Sequence, residues 1–484
     1  MAKQDKEFVK EITPQNQDYS QWYLDVILKA QMMDYAPVKG CMVIRPYGYN
    51  LWENMQEGLD GRIKATGHRN AYFPIFIPES LLQKEAEHVE GFAPEVAWVT
   101  HGGNEKLTER LLVRPTSEAI ICEMYSRWIQ SYRDLPVLIN QWCNVVRWEK
   151  VTRPFLRTTE FLWQEGHTAH RTEAEAQAET LQMLEVYRDF VENDLAVPVV
   201  TGQKSEKEKF AGALRTYSIE ALMSDGKALQ AGTSHNLGTH FAKVFDITFL
   251  DSDGELKHAW QTSWGVSTRL IGAIIMVHGD DRGLIMPPKV APTQVILVPI
   301  MPKKARLEVL EQATAIFTEL KQAGLRMEMD DREEYSPGWK FNEWEMKGVP
   351  LRLEVGPRDL AAGQAVLVRR DTGVKETLAL ADLTVRVPAL LAEIQANMLE
   401  KAKKFRAENT HRTDDYAEFK QIIEEKRGFI ISSWCGHSDC EAAVKEETKA
   451  TIRNIPFYLQ NETPGRCLHC GGEGKHLVIF ARAY

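Results

Sequence analysis

In the stretch 144–168, NVVRWEKVTRPFLRTTEFLWQEGHT, an arginine and a glutamate stand two residues apart within a mostly apolar run. Val145, Val146 and Trp148 give the run the spacing of a strand, so the side chains of Arg147 and Glu149 are expected to leave the same face. A basic turn with Lys150, Arg153 and Pro154 follows, and a second apolar run returns carrying Arg157 and Phe161. The pattern predicts a hairpin with a basic tip. Opposite charges and a ring on one sheet face suit a nucleotide: guanidinium for phosphate, carboxylate for an exocyclic amine, ring for a base. A hairpin that carries only surface ion pairs fits the same residues.

Two further stretches carry comparable chemistry. In SWGVSTRLIGAIIMVHGD the spacing predicts a helix from near Ser267, almost wholly apolar and therefore buried. Arg269 falls in its first turn, at the positive end of the helix dipole and out of water, which fits a residue whose anionic partner is not part of the chain. Gln230–Gly238 reads as a polar loop in which Gln230, Thr233, Ser234 and His235 stand between glycines that let a ligand approach. A polar turn with His235 exposed is the alternative. Thr116 and Glu118, in RPTSE ahead of the helical run AIICEMYSRW, have a structural explanation, threonine as an N-cap and glutamate as complement to the helix dipole, so a functional role for them has to come from elsewhere.

Of seven cysteines, Cys41, Cys122 and Cys143 are scattered, whereas Cys435, Cys440, Cys467 and Cys470 form two close pairs near the end. Four thiolates in this spacing are the ligand set of a closed tetrahedral zinc site, with His437 and His469 as competing ligands. An odd count and a reduced compartment argue against a disulfide framework.

These residues have to be positioned by 484 residues of ordinary soluble composition, enough for two to four domains. A net charge of −9 means that any nucleic acid is met by local basic patches. Residues 1–10 lack the apolar core of a signal peptide, and the longest apolar run, Leu270 to Val277, is far short of the roughly 20 residues that span a bilayer, so a cytosolic protein is expected. An irregular arm to about Asp18 precedes an amphipathic helix from Tyr19, a short strand and a long helix. The apolar strand with Pro74 and Pro78 belongs at a sheet edge, where another subunit can pack. A glutamate-rich helix is expected over Glu173 to Asn193, and two strands meet at Asp253-Gly254. Prolines mark a boundary near DRGLIMPPKVAPTQ, after which strands and helices alternate in a compact α/β unit of mixed sheet. Its Lys340, Glu343, Lys347, Arg352 and Arg358 suit the reading of bases, or simply a solvated surface. A strand, HLVIFARAY, runs to Tyr484.

The strand with Pro74, the RWE hairpin with RTTEF, and SWGVSTRLIGA resemble the three motifs of class II aminoacyl-tRNA synthetases. PTSE, FLWQEGH, QAGTSH, GWKFNEWEMKGVP and the terminal cysteine pairs are similar to stretches of the prolyl-tRNA synthetases, in their archaeal and eukaryotic-like form, and the likeness covers nearly the whole chain. The resemblance implies an α+β protein. Its parts are a class II antiparallel-sheet catalytic domain with an N-terminal arm (1–288), an α/β anticodon-binding domain (289–406) and a small zinc-binding C-terminal domain (407–484). It implies L-proline, ATP with Mg²⁺ and tRNA(Pro) as ligands, structural Zn²⁺, and a homodimer.

Carried onto this chain, the family's roles place the ATP α-phosphate and the proline carboxylate on Arg147, the adenine amine on Glu149 and the base on Phe161. Arg157, Thr158, Gln230 and Thr233 would contact ATP, with Ser267 and Arg269 on its far side. Thr116, Glu118 and His235 would surround proline, while Trp163, Glu165 and His167 shape its pocket. Ser267 departs from the threonine of many relatives but keeps the hydroxyl. Between the Glu165 region and Gln230 there is room only for a helix and a connection, so the large editing insertion of typical bacterial relatives is not expected. The resemblance also implies that the carboxylate of Tyr484 folds back toward the catalytic domain. Two rivals are a silent tRNA-binding paralogue, against which Arg147, Arg157 and Arg269 are all retained, and a threonyl enzyme, whose zinc ligands lie in the catalytic domain itself.

Overall fold

An eleven-stranded sheet organises the molecule. In the computed structural model, which describes residues 12–86 and 96–484, its strands follow one another from edge to edge in this order: Thr410–Arg412, Phe429–Trp434, His476–Ala481, Thr451–Pro456, Val199–Gln203, Arg215–Leu222, Ala228–Gly238, Trp260–Ser267, Glu160–His170, Val137–Val146 and Arg69–Asn70. Only the outermost pairing at each edge is parallel. The C-terminal strands are thus not a satellite. Thr451–Pro456 joins the N-terminal strands of the sheet through Ile455 opposite Gln203 and Pro456 opposite Gly202. Glycine is needed at 202, because a Cβ would lie 2.4 Å from the Ile455 carbonyl oxygen.

Helices Tyr19–Lys29, Pro46–Ala65, Glu173–Asn193 and Arg269–His278 bury their apolar sides in one core with Ile219, Ala231, Trp264 and Val266 of the sheet. The first shows why: Trp22, Tyr23, Val26 and Ile27 recur at helical spacing and are wholly buried, while Asp18 caps the N-terminus by accepting from the Ser20 and Gln21 amides. Each such side chain contributes about 1.5–3 kcal/mol by leaving water. Helix Glu173–Asn193 has the bounds expected and starts in a capping box between Thr172 and Glu175.

The second α/β part has the strand order Met327–Met329, Val295–Pro299, Leu351–Val355, Gln364–Arg369, Lys375–Ala379. Its first two pairings are parallel and its last two antiparallel, the mixed sheet expected. Helices Arg306–Gln322 and Leu383–Glu408 close a core that includes Leu297, Ala313, Leu353 and Leu390. Phe76–Pro78 sits at an edge of a separate three-stranded sheet, as Pro78 requires, and Pro74 of the expected strand lies outside it.

Several expectations are corrected. Gln230–Gly238 is no loop but most of the central strand Ala228–Gly238, and the space that a side chain at Gly232 would fill is taken by Val266 and Ile219. The helix expected from Ser267 begins at Arg269, and Ser267 ends the strand Trp260–Ser267. Ser117, not Thr116, is the N-cap of helix Glu118–Trp128, and its side chain makes no cap bond. Between Glu165 and Gln230 the chain adds two strands to the expected helix. The last strand stops at Ala481. The N-terminal arm lies outside the described residues up to residue 11, and residues 12–18 form turns without regular structure. No helix of the described residues is long and apolar enough to cross a membrane.

Candidate active site

The hairpin is present, with Val137–Val146 and Glu160–His170 paired antiparallel from Val137 opposite Ala169 to Val146 opposite Glu160. The strand ends at Val146, however, so Arg147 and Glu149 lie just past it and Arg157 lies in the turn. The Arg147 amide still donates to the Thr159 carbonyl at 2.8 Å, which carries the pairing one residue further. From there the guanidinium reaches over Phe161 and Trp163, 5.5 and 5.4 Å from the ring centroids. Its Nε donates to the Pro115 carbonyl at 3.0 Å.

The strands open on a cavity of about 330 Å³. Twelve of the residues singled out in the sequence line it: Thr116, Glu118, Arg147, Phe161, Trp163, Glu165, His167, Gln230, Thr233, His235, Ser267 and Arg269. Three do not. Arg157 and Glu149 form an ion pair at 2.8 Å with Arg157 well exposed, so here the hairpin does carry a surface pair. Thr158 is buried, and its hydroxyl donates to the Glu160 carbonyl at 2.8 Å. The sequence reading missed Glu208, Lys209 and Phe210, which enter the cavity from the connection between Val199–Gln203 and Arg215–Leu222, as well as Thr216 and Trp264.

The two ends of the cavity differ in charge. At one end Glu165 is buried and accepts from the Gln141 amide at 2.8 Å, from the Ser117 hydroxyl, and from His167 Nε2 at 3.1 Å. Burial alone would raise its pKa, but these donors together hold it below the ordinary carboxylate value. Glu118 is buried beside it and accepts from the Thr116 hydroxyl. His235 shares a 3.0 Å hydrogen bond with Thr216 through Nδ1, and burial, then the nearby His167 and Lys204, lower it to about 3, so it is neutral.

At the other end Arg269 donates from Nε to the Leu156 carbonyl at 3.1 Å and from Nη1 to the Gln230 carbonyl at 3.5 Å. Burial and then repulsion from Arg147 and Arg157 lower it to about 10. Among the described residues neither Arg147 nor Arg269 is in an ion pair, although ion pairs abound elsewhere in the molecule. Two unpaired guanidiniums in one cavity constitute an anion site, and the carboxylates opposite constitute a cation site.

At the far end of the chain, Cys435, Cys440, Cys467 and Cys470 bring their sulfurs within 4.8 Å of one another. Cys435 and Cys440 Sγ are 3.6 Å apart, close to the ~3.8 Å edge of a tetrahedron with 2.3 Å zinc–sulfur bonds. Burial disfavours the Cys467 thiolate, but backbone amides at Cys470, His469 and Cys435 bring it down to about 7. Neither competing histidine belongs to the group: His437 is exposed, and His469 Nε2 faces Glu447 at 3.8 Å.

Of the five candidate base readers, only Arg352 lines the cavity of about 360 Å³ in the second α/β part, where its guanidinium lies 4.1 Å from the Phe341 centroid. Lys340 is buried and donates to the Asp330 carbonyl at 2.9 Å, so it cannot read a base. Glu343 is held between Arg332 and Lys347, and Arg358 is exposed on the helix Pro357–Ala361. Tyr484 is tied to the catalytic part: its hydroxyl donates to Asp225 at 2.7 Å, its amide donates to the Ala228 carbonyl, and Arg153 of the hairpin tip lies 5.1 Å from its ring centroid.

Three family descriptions match the chain. These are "tRNA synthetase class II core domain (G, H, P, S and T)" over residues 98–278, "Anticodon binding domain" over 294–390 and "Prolyl-tRNA synthetase, C-terminal" over 416–484. The chain is 68% identical to a Proline--tRNA ligase of Natranaerobius thermophilus and 63% identical to one of Alkaliphilus oremlandii, each covering 100% of both chains. A crystal structure of prolyl-tRNA synthetase from Cryptosporidium parvum, complexed with halofuginone and AMPPNP, is 43% identical. It superposes with a TM-score of 0.94 over 98% of this chain and 100% of that one.

Proposed function

The chain belongs to the prolyl-tRNA synthetases and is a class II proline–tRNA ligase; from that premise we propose that the cavity between Glu118 and Arg269 activates L-proline with ATP and passes the prolyl group to the 3′ end of tRNA(Pro). The observation that carries this is the pair of unpaired guanidiniums, Arg147 and Arg269, facing buried carboxylates across one cavity. A zwitterion and a polyphosphate fit that polarity together.

The proline carboxylate attacks the α-phosphorus of ATP, forming prolyl-adenylate and releasing pyrophosphate. A hydroxyl of the terminal ribose of tRNA then attacks the adenylate carbonyl, forming the ester and releasing AMP. No side-chain nucleophile is required. Arg147, within the electrostatic reach of Glu118, Glu165 and Arg269, neutralises the carboxylate and the α-phosphate as they meet. Glu118 takes the imino cation, Glu165 and its partner His167 shape the pocket, neutral His235 closes it, and Phe161 stacks on adenine, with Gln230, Thr233, Ser267 and Arg269 along the phosphates. Glu149, Arg157 and Thr158 join the nucleotide only if the turn 147–159 rearranges.

Class II synthetases use ATP with Mg²⁺ generally. Mg²⁺ would be held chiefly by the phosphates of the nucleotide. The cysteines fit Zn²⁺, which would cross-link 435–440 to 467–470 as a structural ion. In the second α/β part, Phe341 and Arg352 offer stacking surfaces for an anticodon base. The divisions near residues 288 and 406, a homodimer through the edge around the exposed Tyr72 and Phe76, and a cytoplasmic site complete the reading. The reading includes no editing domain in cis, supported by the shortness of the stretch between Glu165 and Ala228, a helix, two strands and their connections.

Amino-acid-dependent exchange of pyrophosphate into ATP tests the reading: exchange is expected to be far more efficient with proline than with threonine or serine. No exchange with proline, or more with threonine, would overturn it.

A further inference from the structure

The segment after strand Val199–Gln203 delivers Glu208, Lys209 and Phe210 to the cavity. Phe210 is set against the proline end: its ring centroid lies 4.8 Å from that of His235, and its amide donates to the same Thr216 hydroxyl that bonds His235. What fixes the root of this segment comes from the other end of the chain. The Ser205 hydroxyl donates to Glu441 Oε1 at 2.7 Å in a buried contact, and Glu441 stands on the helix Ser438–Thr448. The Glu208 and Lys209 amides turn back onto the Ser205 carbonyl. One residue earlier, the buried Lys204 ammonium donates to Glu220 at 2.8 Å and to the Arg453 carbonyl at 2.7 Å, and the Arg453 guanidinium completes the cluster on Glu220 at 3.0 Å. Glu220 stands opposite Gln230 in the neighbouring strand, so the same cluster lies directly beside a cavity residue.

We propose that Glu441 and Arg453 of the C-terminal part are positioning residues for amino-acid activation, holding Ser205 and Lys204 so that Phe210 stays against His235. Attachment of the C-terminal part does not need the Ser205–Glu441 bond. The strands Thr451–Pro456 and Val199–Gln203 are already paired, and Val200 and Leu222 share a core with Phe429, Leu477 and Ile479. The bond acts on the segment's root alone. A buried hydroxyl–carboxylate bond is strong and geometrically selective; once it is lost, Ser205 itself has no side-chain tie to the C-terminal part, and the segment rests on its backbone turn, the Lys204 cluster and a half-exposed Lys445–Glu208 ion pair at 3.3 Å.

This inference rests on the activation reading, and the assay separates the two. Pyrophosphate exchange is measured for wild type, Ser205→Ala, Glu441→Ala, Glu441→Gln and the double alanine variant, with proline and ATP each varied. Wild type without proline-dependent exchange would remove the activation reading itself. With wild type active, both single alanine variants are expected to raise KM for proline about tenfold, with KM for ATP within about twofold of wild type. Glu441→Gln, which keeps an acceptor oxygen, is expected to restore most of the loss, and the double variant to match the singles because they remove the same bond. Ser205→Ala breaks the bond from the catalytic side without touching the cysteine cluster, so it carries the test if Glu441→Ala misfolds. Unchanged KM for proline in Ser205→Ala, a parallel rise for ATP, or multiplicative losses in the double variant would overturn the inference.

Discussion

Glu165 Oε2 and His167 Nε2 lie 3.1 Å apart beneath the cavity, with side chains that are almost fully buried. Burial lowers His167, but Glu165 and Glu118 more than reverse this and raise it above its ordinary 6.5; Glu165 is held below its ordinary 4.5. A histidine raised on folding contributes stability that is complete below its unfolded pKa and is lost as pH rises through the folded value. A carboxylate lowered on folding contributes stability present above its unfolded pKa and lost as pH falls through the folded value. The pair is therefore fully effective between pH 4.5 and 6.5. Urea unfolding of wild type and His167→Gln is expected to show a larger stability gap near pH 6 than near pH 9. An equal gap at both would refute the ion pair.

Gly166 stands opposite Trp264 in the sheet, and a Cβ there would come within 2.1 Å of the indole. The ring cannot retreat, because His68 and Tyr187 pack edge-on against it at 5.1 and 6.2 Å. Gly166→Ala is expected to cost about 1–3 kcal/mol and, since Trp264 lines the cavity, to raise KM for proline. Thermal melting with exchange kinetics checks both; a variant with wild-type values would show that the ring has room to move.

The cysteine cluster predicts one zinc per chain by elemental analysis. Cys467→Ser should lose the metal and lower Tm by several degrees, because strands that flank the cluster continue into the catalytic sheet. Full zinc content in the variant would contradict the assignment.

A pocket discriminates against a smaller substrate by only ~1–3 kcal/mol per missing methylene. Alanine or cysteine at high concentration is therefore expected to support measurable exchange, and misacylated tRNA(Pro) should persist, with no hydrolysis by the enzyme. Absence of exchange with both, or rapid deacylation, would count against the reading.

How far the sequence reached follows from the range of each signal. The hairpin, Arg269 and the cysteine pairs were legible because charge, apolar spacing and ligand type sit close together in the chain. Gln230–Gly238 was misread because polar residues and glycines mimic a turn. Strand geometry there depends on Val266 and Ile219, which fill the space beside Gly232 from two other strands. Glu208 to Phe210 gave no functional signal, since nothing local reveals that Ser205 is held by Glu441. The junction of Thr451–Pro456 with Val199–Gln203 joins residues about 250 positions apart and leaves no local mark. Lys340 looked like a surface base reader because a lysine is usually exposed, and only the fold shows it turned inward onto Asp330.

The central claim is that Arg147 neutralises substrate charge rather than holding the fold. It has no ion pair among the described residues, and after truncation Glu118 keeps the Thr116 hydroxyl while Glu165 keeps its Ser117, Gln141 and His167 donors, so each buried carboxylate stays hydrogen-bonded. Proline-dependent pyrophosphate exchange by Arg147→Ala, measured beside wild type with melting curves for both, tests this most directly. The account predicts a loss of at least about 10²–10³-fold with Tm nearly unchanged; exchange retained within about tenfold of wild type by a folded variant would contradict it.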